Sequence, residues 1–131
     1  MNTDKTYIVA AVTPQLECEN IIETAKEFAE RMNAELLVVT IQPKKATATK
    51  RSQDIKALTA LASRTTMPIT VRYSDYPAIS VATAVSEQNT LHIFTGSPGN
   101  TDFIKKLSAL CANIPISVVV GRSAYNVCPA V

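Results

Sequence analysis

Short runs of consecutive hydrophobic residues alternate along this chain with stretches in which hydrophobic residues recur every three or four positions. An unbroken run of about four to eight hydrophobic residues is typical of a strand that is buried on both faces of a sheet. Tyr7–Val12 is such a run, and predominantly hydrophobic segments of the same length predict further strands at Ala34–Ile41, Ile69–Tyr73, Leu91–Thr95 and Ile116–Val120.

Amphipathic stretches separate these runs and predict four helices. The residues expected to face the core are Ile21, Ile22, Ala25, Phe28, Ala29 and Met32 in the first helix, Ile55, Leu58, Leu61 and Ala62 in the second, Ile79, Ala82 and Val85 in the third, and Phe103, Ile104, Leu107, Leu110 and Cys111 in the fourth. We expect the third helix to lie within Tyr76–Glu87. Asp75 precedes Pro77, which the first turn of a helix tolerates, so we expect Asp75 to cap it.

The alternation of strands and helices predicts an α/β fold with a five-stranded parallel sheet covered on both faces. Because crossover connections are right-handed, the expected topologies are doubly wound. The length of 131 residues is that of one domain and is too short for a (β/α)8 barrel. We therefore expect a single domain with its core at about 5–121 and a C-terminal tail at 122–131 that shows no clear period.

The composition excludes several classes of protein. Hydrophobic residues make up 47% of the chain and charged residues 18%, which is not the composition of a disordered protein. No hydrophobic run approaches the roughly 18 residues of a membrane-spanning helix, and Met1–Lys5 contains no hydrophobic stretch of a signal peptide. The three cysteines lack a paired spacing and fit a reducing compartment. We expect a cytoplasmic protein without membrane insertion.

The net charge of +2 is too balanced for a protein that binds nucleic acid, and no basic stripe is interleaved with aromatic residues. Lys44, Lys45, Lys50 and Arg51 form a local basic segment. Two interpretations are open for this segment. It is either a solvated loop or a rim that steers anions toward a binding site.

Candidate functional residues follow the strands, because ligands of doubly wound sheets bind at the carboxyl ends of the strands. Thr13-Pro14-Gln15, after the first strand, offers no carboxylate for Mg²⁺ and no glycine-rich phosphate loop. The motifs GxxxxGK[ST] and GxGxxG are absent. Since no acid–base pair emerges, we expect no catalytic residues and no enzyme activity, with slow ATP hydrolysis left open.

Three single residues each have a chemical and a structural interpretation. Asp75 matches a phosphoacceptor position or caps a helix. Cys18, near a helix start, is a nucleophile or an inert small residue. His92, the only histidine, is a metal ligand or a residue packed within the sheet. We favour the structural interpretation for all three and expect no metal site.

A binding site has better support at Gly96–Thr101, which follows the fourth strand. Two of the three glycines of the chain, Gly96 and Gly99, fall in this segment. A glycine turn before a helix lets backbone N–H groups approach a phosphate, and Ser97, Asn100 and Thr101 add donors. The alternative is a tight strand-to-helix turn with Asn100 or Thr101 as the N-cap.

Taken in order, these segments resemble the universal stress protein family over nearly the whole chain. The resemblance lies in Ile8–Val12, in Met32–Ile41, and in Gly96-Ser97-Pro98-Gly99 followed by a helix and Pro115–Val120. The pieces around Thr13-Pro14 and Gly96–Pro98 are especially similar to the universal-stress domain of KdpD-type potassium sensor kinases.

This resemblance implies a flavodoxin-like fold with strand order 3-2-1-4-5, an adenine-nucleotide site, a role in the stress response and frequent dimerisation. ATP-binding members have an acidic residue at the end of strand one and G-x2-G-x9-G-[ST] after strand four. Here Thr13 replaces the acid, and Ala109-Leu110 replaces the second glycine turn. The resemblance therefore implies weak binding of ATP, and the KdpD-type domains add cyclic di-AMP as a candidate.

The resulting hypothesis is a non-catalytic regulatory domain that binds ATP, AMP or cyclic di-AMP weakly at the strand ends. The adenine would lie between Thr13-Pro14-Gln15 and Ile41, with phosphate at Gly96, Ser97, Gly99, Asn100 and Thr101. The alternative is a ligand-free dimeric interaction module that docks on a kinase or a transporter.

We also expect a homodimer through the strand Ile116–Val120. In the order 3-2-1-4-5 this strand lies at the sheet edge, where unpaired backbone groups accept another strand. Alternation places Ile116, Val118 and Val120 on one face, toward the last helix, and leaves Val119 for a partner. The tail at 122–131 either covers this edge or crosses to the other subunit.

Overall fold

The computed structural model describes residues 5–12, 18–42, 56, 60, 69–96, 102–121 and 123–128. The strands within these ranges are β1 (Tyr7–Val12), β2 (Glu35–Gln42), β3 (Ile69–Tyr73), β4 (Thr90–Gly96), β5 (Ile116–Val120) and β6 (Ser123–Cys128). The helices are α1 (Cys18–Arg31), α2 (Pro77–Ser86) and α3 (Asp102–Leu110). No helix in this described part is long and apolar enough to cross a membrane.

The sheet has the order β3-β2-β1-β4-β5-β6, and its first five strands are parallel. The predicted α/β fold with the order 3-2-1-4-5 is therefore confirmed, and a sixth strand is added. β1 pairs with β2 on one side and with β4 on the other. The direction in which successive strands are added thus reverses beside β1, which is the arrangement of a doubly wound sheet.

The first crossover shows how the chain passes from helix to strand. α1 ends at Arg31, and Asn33 adopts a φ of 54°, a left-handed conformation that asparagine tolerates after a helix. The Ala34 N–H donates a hydrogen bond to the Ala29 carbonyl at 2.8 Å. This short C-terminal turn sends the chain directly into β2.

β6 corrects the expected position of the sheet edge. It returns antiparallel along β5, with Val120 opposite Ser123 and Gly121 in the turn at a φ of 59°. The prediction that Ile116–Val120 is an open edge is therefore wrong, and the tail covers β5 of its own chain. The sequence of the tail does not predict this strand, because the side chains from Ser123 to Val127 are all exposed. A strand without a buried face does not need alternating hydrophobic and polar residues.

The core consists of two hydrophobic layers, one on each face of the sheet. α1 covers one face, and its layer consists of Ile8, Ala10, Val12, Ile21, Ile22, Ala25, Ala29, Val38, Phe94 and Val119. α2 and α3 cover the other face, and their layer consists of Val9, Ala11, Val39, Ala78, Val81, Ala84, Val85, Ile93, Leu107, Cys111 and Ile116. The central strands contribute to both layers, which explains why hydrophobic residues occupy consecutive positions along them.

Val119 was predicted to face a partner, and this prediction is wrong. Its side chain is 1% exposed and packs in the layer under α1, together with the buried Ser117 of the same strand. Val120 is 47% exposed instead. The reason is that β5 is an interior strand of a sheet covered on both faces. Successive residues of β5 point to opposite faces, and residues on each face are buried.

Three residues of the predicted helical stripes lie outside the core: Met32, Ile79 and Leu110 are exposed. α2 contains no charged residue, so its sequence does not indicate which face is buried, and the structure buries Ala78, Val81, Ala84 and Val85. The prediction that Asp75 caps this helix is also wrong. The N-cap position is Tyr76, without a side-chain cap. The predicted second helix lies mostly outside the described residues, although Lys56 and Ala60 are helical.

Candidate functional site

The carboxyl ends of β1, β2 and β4 lie side by side at the point where the strand order reverses. Val12, the last residue of β1, pairs with Thr40 of β2, and Ala11 pairs with Thr95 of β4. In doubly wound sheets, the point at which the strand order reverses is where ligands bind, outside the carboxyl ends of the strands. The structure therefore identifies the β1–β4 switch point as the candidate site.

Two of the predicted ligand-contacting residues are described, and both lie at this edge. Ile41 follows Thr40 in β2 and is half-buried, and Gly96 is the last residue of β4. β1 alone separates their strands, so the two lie roughly 10 Å apart, which is two strand spacings. The other predicted residues lie outside the described residues and stay predictions: Thr13, Pro14, Gln15, Ser97, Gly99, Asn100 and Thr101.

Gly96 has a packing role that the sequence did not reveal. A Cβ atom at Gly96 would lie 2.9 Å from Cδ1 of Ile21, a buried residue in the first half of α1. The absence of a side chain thus lets α1 approach the end of β4 closely.

We expect Gly96→Ala to destabilise the domain by about 1 kcal/mol, because the added methyl group displaces Ile21 in a packed layer. Ile21→Val removes the Cδ1 atom, so Gly96→Ala should be neutral or stabilising in that background. Urea unfolding of the wild type, both single variants and the double variant measures the coupling. Additive free energies of unfolding would contradict this account of Gly96.

Carboxylates lie near this edge where helices begin. Glu19 is in the first turn of α1, Asp102 is in the first turn of α3, and Asp75 lies between β3 and α2. Acidic residues in first turns interact favourably with the helix dipoles. The same dipoles are therefore less available to a bound phosphate, which disfavours a highly charged ligand.

His92 lies away from the candidate site and packs within the sheet. Its partner in β1 is Ile8, near the start of that strand. Its Nε2 atom is 2.8 Å from Oγ of Ser117, and its ring stacks on Phe94 at 4.6 Å and lies 4.9 Å from Phe28. Burial lowers the pKa of this imidazole. The structural interpretation of His92 is confirmed.

Of the three cysteines, only Cys111 has a described side chain, and it is buried. Burial raises the pKa of the Cys111 thiol, which disfavours the reactive thiolate. The Cys18 side chain lies outside the part of the chain that is described. Among the described residues, no group of three or more histidine, cysteine, aspartate or glutamate side chains could hold a metal ion.

Two tyrosines that sequence reasoning did not select lie at the same edge of the sheet. Tyr73 is the last residue of β3, and Tyr76 is at the start of α2; both are exposed. The Tyr76 N–H donates a hydrogen bond to Oγ of Ser74 at 3.0 Å, which orders the turn between them. An exposed aromatic ring can stack on a nucleobase. The two tyrosines that flank Ser74-Asp75 are therefore the sequence feature from which a base-contacting residue could have been predicted.

The fold was compared with solved structures. A universal stress protein from Archaeoglobus fulgidus superimposes with a TM-score of 0.70 at 16% identity, over 88% of this chain and 93% of that one. A universal stress family protein from Burkholderia pseudomallei superimposes with a TM-score of 0.63 at 17% identity, over 91% and 98%.

A putative universal stress protein from Pseudomonas aeruginosa superimposes with a TM-score of 0.69 at 12% identity, over 90% of this chain but 48% of that one. This chain thus spans about half the length of that protein. No protein-family model and no curated protein matches the sequence. At these identities the likenesses show the fold, which is that of the universal stress proteins.

Proposed function

We propose that this domain, built on the fold of the universal stress proteins, is a non-catalytic regulatory module that binds an adenine nucleotide or a cyclic dinucleotide. The proposal rests chiefly on the switch point between β1 and β4, where Ile41 and Gly96 lie at the same edge. Ile41 offers an apolar contact to the base, and the Gly96–Thr101 segment offers donors to a phosphate. Thr13, Pro14 and Gln15 complete the proposed site.

Weak binding of ATP follows from the position of Ala109 and Leu110. ATP-binding relatives are expected to carry a second glycine turn at these positions, but here both residues lie in the last turn of α3. α3 leads from β4 to the parallel strand β5, so its last turn lies toward the amino ends of the strands, about 10 Å along the helix axis from its start. Thr13 likewise supplies no carboxylate for the ribose.

We expect ATP to bind roughly 10- to 1000-fold more weakly than it would with these two or three hydrogen bonds in place. A thermal-shift screen with ATP, AMP and cyclic di-AMP, followed by calorimetry, measures this. Gly99→Val should abolish the shift of any bound nucleotide, whereas Ala112→Val, an exposed position beyond α3, should not. An unchanged affinity in Gly99→Val contradicts the phosphate site, and a submicromolar Kd for ATP contradicts weak binding.

The same samples test the absence of catalysis. His92, the only histidine of the chain, lies four residues before Gly96 in β4, and the described carboxylates near this edge, Glu19, Asp75 and Asp102, lie where helices begin. We therefore expect no phosphate release from ATP above the uncatalysed background. Steady release that disappears in Gly99→Val would show that the domain is a slow ATP hydrolase.

The second candidate function is a ligand-free interaction module that docks on a kinase or a transporter. The observation that favours it is the surface of α2, which carries no charged residue and exposes Ile79 and the neighbouring Tyr76. A helix without charged residues is typical of one covered by another surface. Absence of a thermal shift with all three nucleotides would favour this function.

Homodimerisation remains part of the proposal under both functions. Its interface cannot be the backbone edge of β5, because β6 occupies that edge. Any strand pairing between two copies must therefore use an outermost strand of the six-stranded sheet.

A further inference from the structure

Tyr76 has the most exposed of the large hydrophobic side chains in the described part of the chain, at 69%. Its backbone is nevertheless fixed. The Tyr76 N–H donates a hydrogen bond to Oγ of Ser74 at 3.0 Å, and the Tyr76 carbonyl accepts one from the Ser80 N–H at 3.1 Å. Pro77 further restricts the conformation of the residue before it. The structure thus presents an aromatic ring to solvent from a fixed backbone position.

Tyr76 lies at the carboxyl edge of the sheet, because β3 ends at Tyr73 and α2 begins at Pro77. α2 packs against β2, and Ala78 near its start is buried in the layer against which Ile41 packs. Tyr76 and Ile41 therefore lie on the same face of the sheet, at the same edge. Ile41 is the residue to which the proposed function assigns an apolar contact with the base.

Tyr73, which is also exposed at this edge, belongs to the opposite face. Side chains alternate along a strand, so Tyr73 shares a face of β3 with Ile69 and Val71. Ile69 packs against the layer under α1, whereas Ile41 packs against the layer under α2 and α3. A base in contact with Ile41 is thus on the side of the sheet to which Tyr76 belongs and Tyr73 does not.

The charges around Tyr76 favour an uncharged ring over a phosphate. Asp75 precedes Tyr76, and α2 carries no charged residue from Pro77 to Ser86. The carboxylate repels a phosphate, and α2 offers no cationic side chain to hold one. A nucleobase is neutral at pH 7 and stacks on aromatic side chains. The phosphate is accordingly left to the Gly96–Thr101 segment, on the other side of β1.

We propose that Tyr76 stacks on the base of the nucleotide, so that the base lies between the tyrosine ring and Ile41. The inference rests on the proposed function and names the residue that recognises the base. Every base has an aromatic face, so stacking adds affinity without choosing among bases. The consequence is that the base, and not only the phosphate, holds the ligand at this edge.

Calorimetry with AMP, cyclic di-AMP and ribose 5-phosphate separates contact with the base from contact with the phosphate, since ribose 5-phosphate has no base. Tyr76→Ala should weaken AMP and cyclic di-AMP by about 5- to 150-fold, the range for the loss of one stacked base. It should leave the affinity for ribose 5-phosphate unchanged. Tyr76→Phe keeps the aromatic ring and should retain the wild-type affinity.

Tyr73→Ala is the matched control, because it makes the same change at an exposed tyrosine of the same edge and should leave the affinity for AMP unchanged. Fluorescence gives a second measurement, since the chain has four tyrosines and no tryptophan. Saturating AMP should quench part of the tyrosine emission in the wild type and in Tyr73→Phe. It should not do so in Tyr76→Phe, which lacks the stacked fluorophore.

Two results overturn this inference and leave the nucleotide proposal standing. One is an affinity for AMP that is unchanged in Tyr76→Ala or that falls equally in Tyr73→Ala. The other is an equal loss of AMP and ribose 5-phosphate binding in Tyr76→Ala, which would show a structural role. If Tyr76→Ala does not fold, quenching that persists in Tyr76→Phe overturns the inference. A wild type that binds neither AMP nor cyclic di-AMP overturns both proposals.

Discussion

We expect Val119→Lys to unfold this domain at room temperature or to lower its free energy of unfolding by at least about 4 kcal/mol. The side chain is 1% exposed and belongs to the layer that contains Ile22 and Phe94. A lysine there places an ammonium group among hydrocarbon side chains without a counter-ion. That loss is a large fraction of the roughly 5–15 kcal/mol that stabilises a typical domain.

Val120→Lys is the matched control, since it introduces the same side chain at the next residue of β5. Val120 is 47% exposed, so its ammonium group stays in water, and we expect a change within about 1 kcal/mol. Urea unfolding followed by circular dichroism at low protein concentration compares the two variants. Equal stabilities would contradict the burial of Val119 under α1.

Leu107→Ala is expected to destabilise the domain by about 2–5 kcal/mol, the range for removing a buried leucine side chain. Leu107 is fully buried and packs in the layer that contains Val9, Ile93 and Ile116. The truncation leaves a cavity between α3 and the sheet. Thermal and urea unfolding both measure the loss.

Leu110→Ala removes the same atoms three residues later on the same helix. Leu110 is 54% exposed, so we expect a loss of less than about 1 kcal/mol. The sequence pattern places both leucines on one stripe, and this pair of variants therefore tests the orientation of α3. A larger loss for Leu110→Ala than for Leu107→Ala would show that the helix is rotated.

The strands could be predicted because each of the central ones is buried on both faces. β1, β3 and β5 have the predicted bounds, and β2 and β4 differ by one residue at their ends. The run Ile8–Val12 contains no polar residue. A strand between two layers of helices is buried on both faces, which favours hydrophobic residues at consecutive positions. The fold class and the strand order therefore follow from local patterns together with the family resemblance.

The candidate site could be predicted only in part. Ile41 and Gly96 were placed at the carboxyl edge because parallel strands in a doubly wound sheet all end there. The contact of Gly96 with Ile21 could not be predicted, since it depends on how closely α1 approaches β4. Tyr73 and Tyr76 were passed over because an aromatic residue beside a turn does not reveal whether it is exposed.

Local pattern thus determined which segments form the central strands, and it predicts the edge at which we propose that a ligand binds. The tertiary structure decided which strand is outermost, which side of α2 and α3 is buried, and where Val119 packs. β6 carries no burial signal because its described side chains are exposed, so only its hydrogen-bonded pairing with β5 reveals it. Whether β5 lies at the edge or inside the sheet depends on the pairing of β6 with it. That pairing is a property of the folded chain and cannot be predicted from the residues of β5 alone.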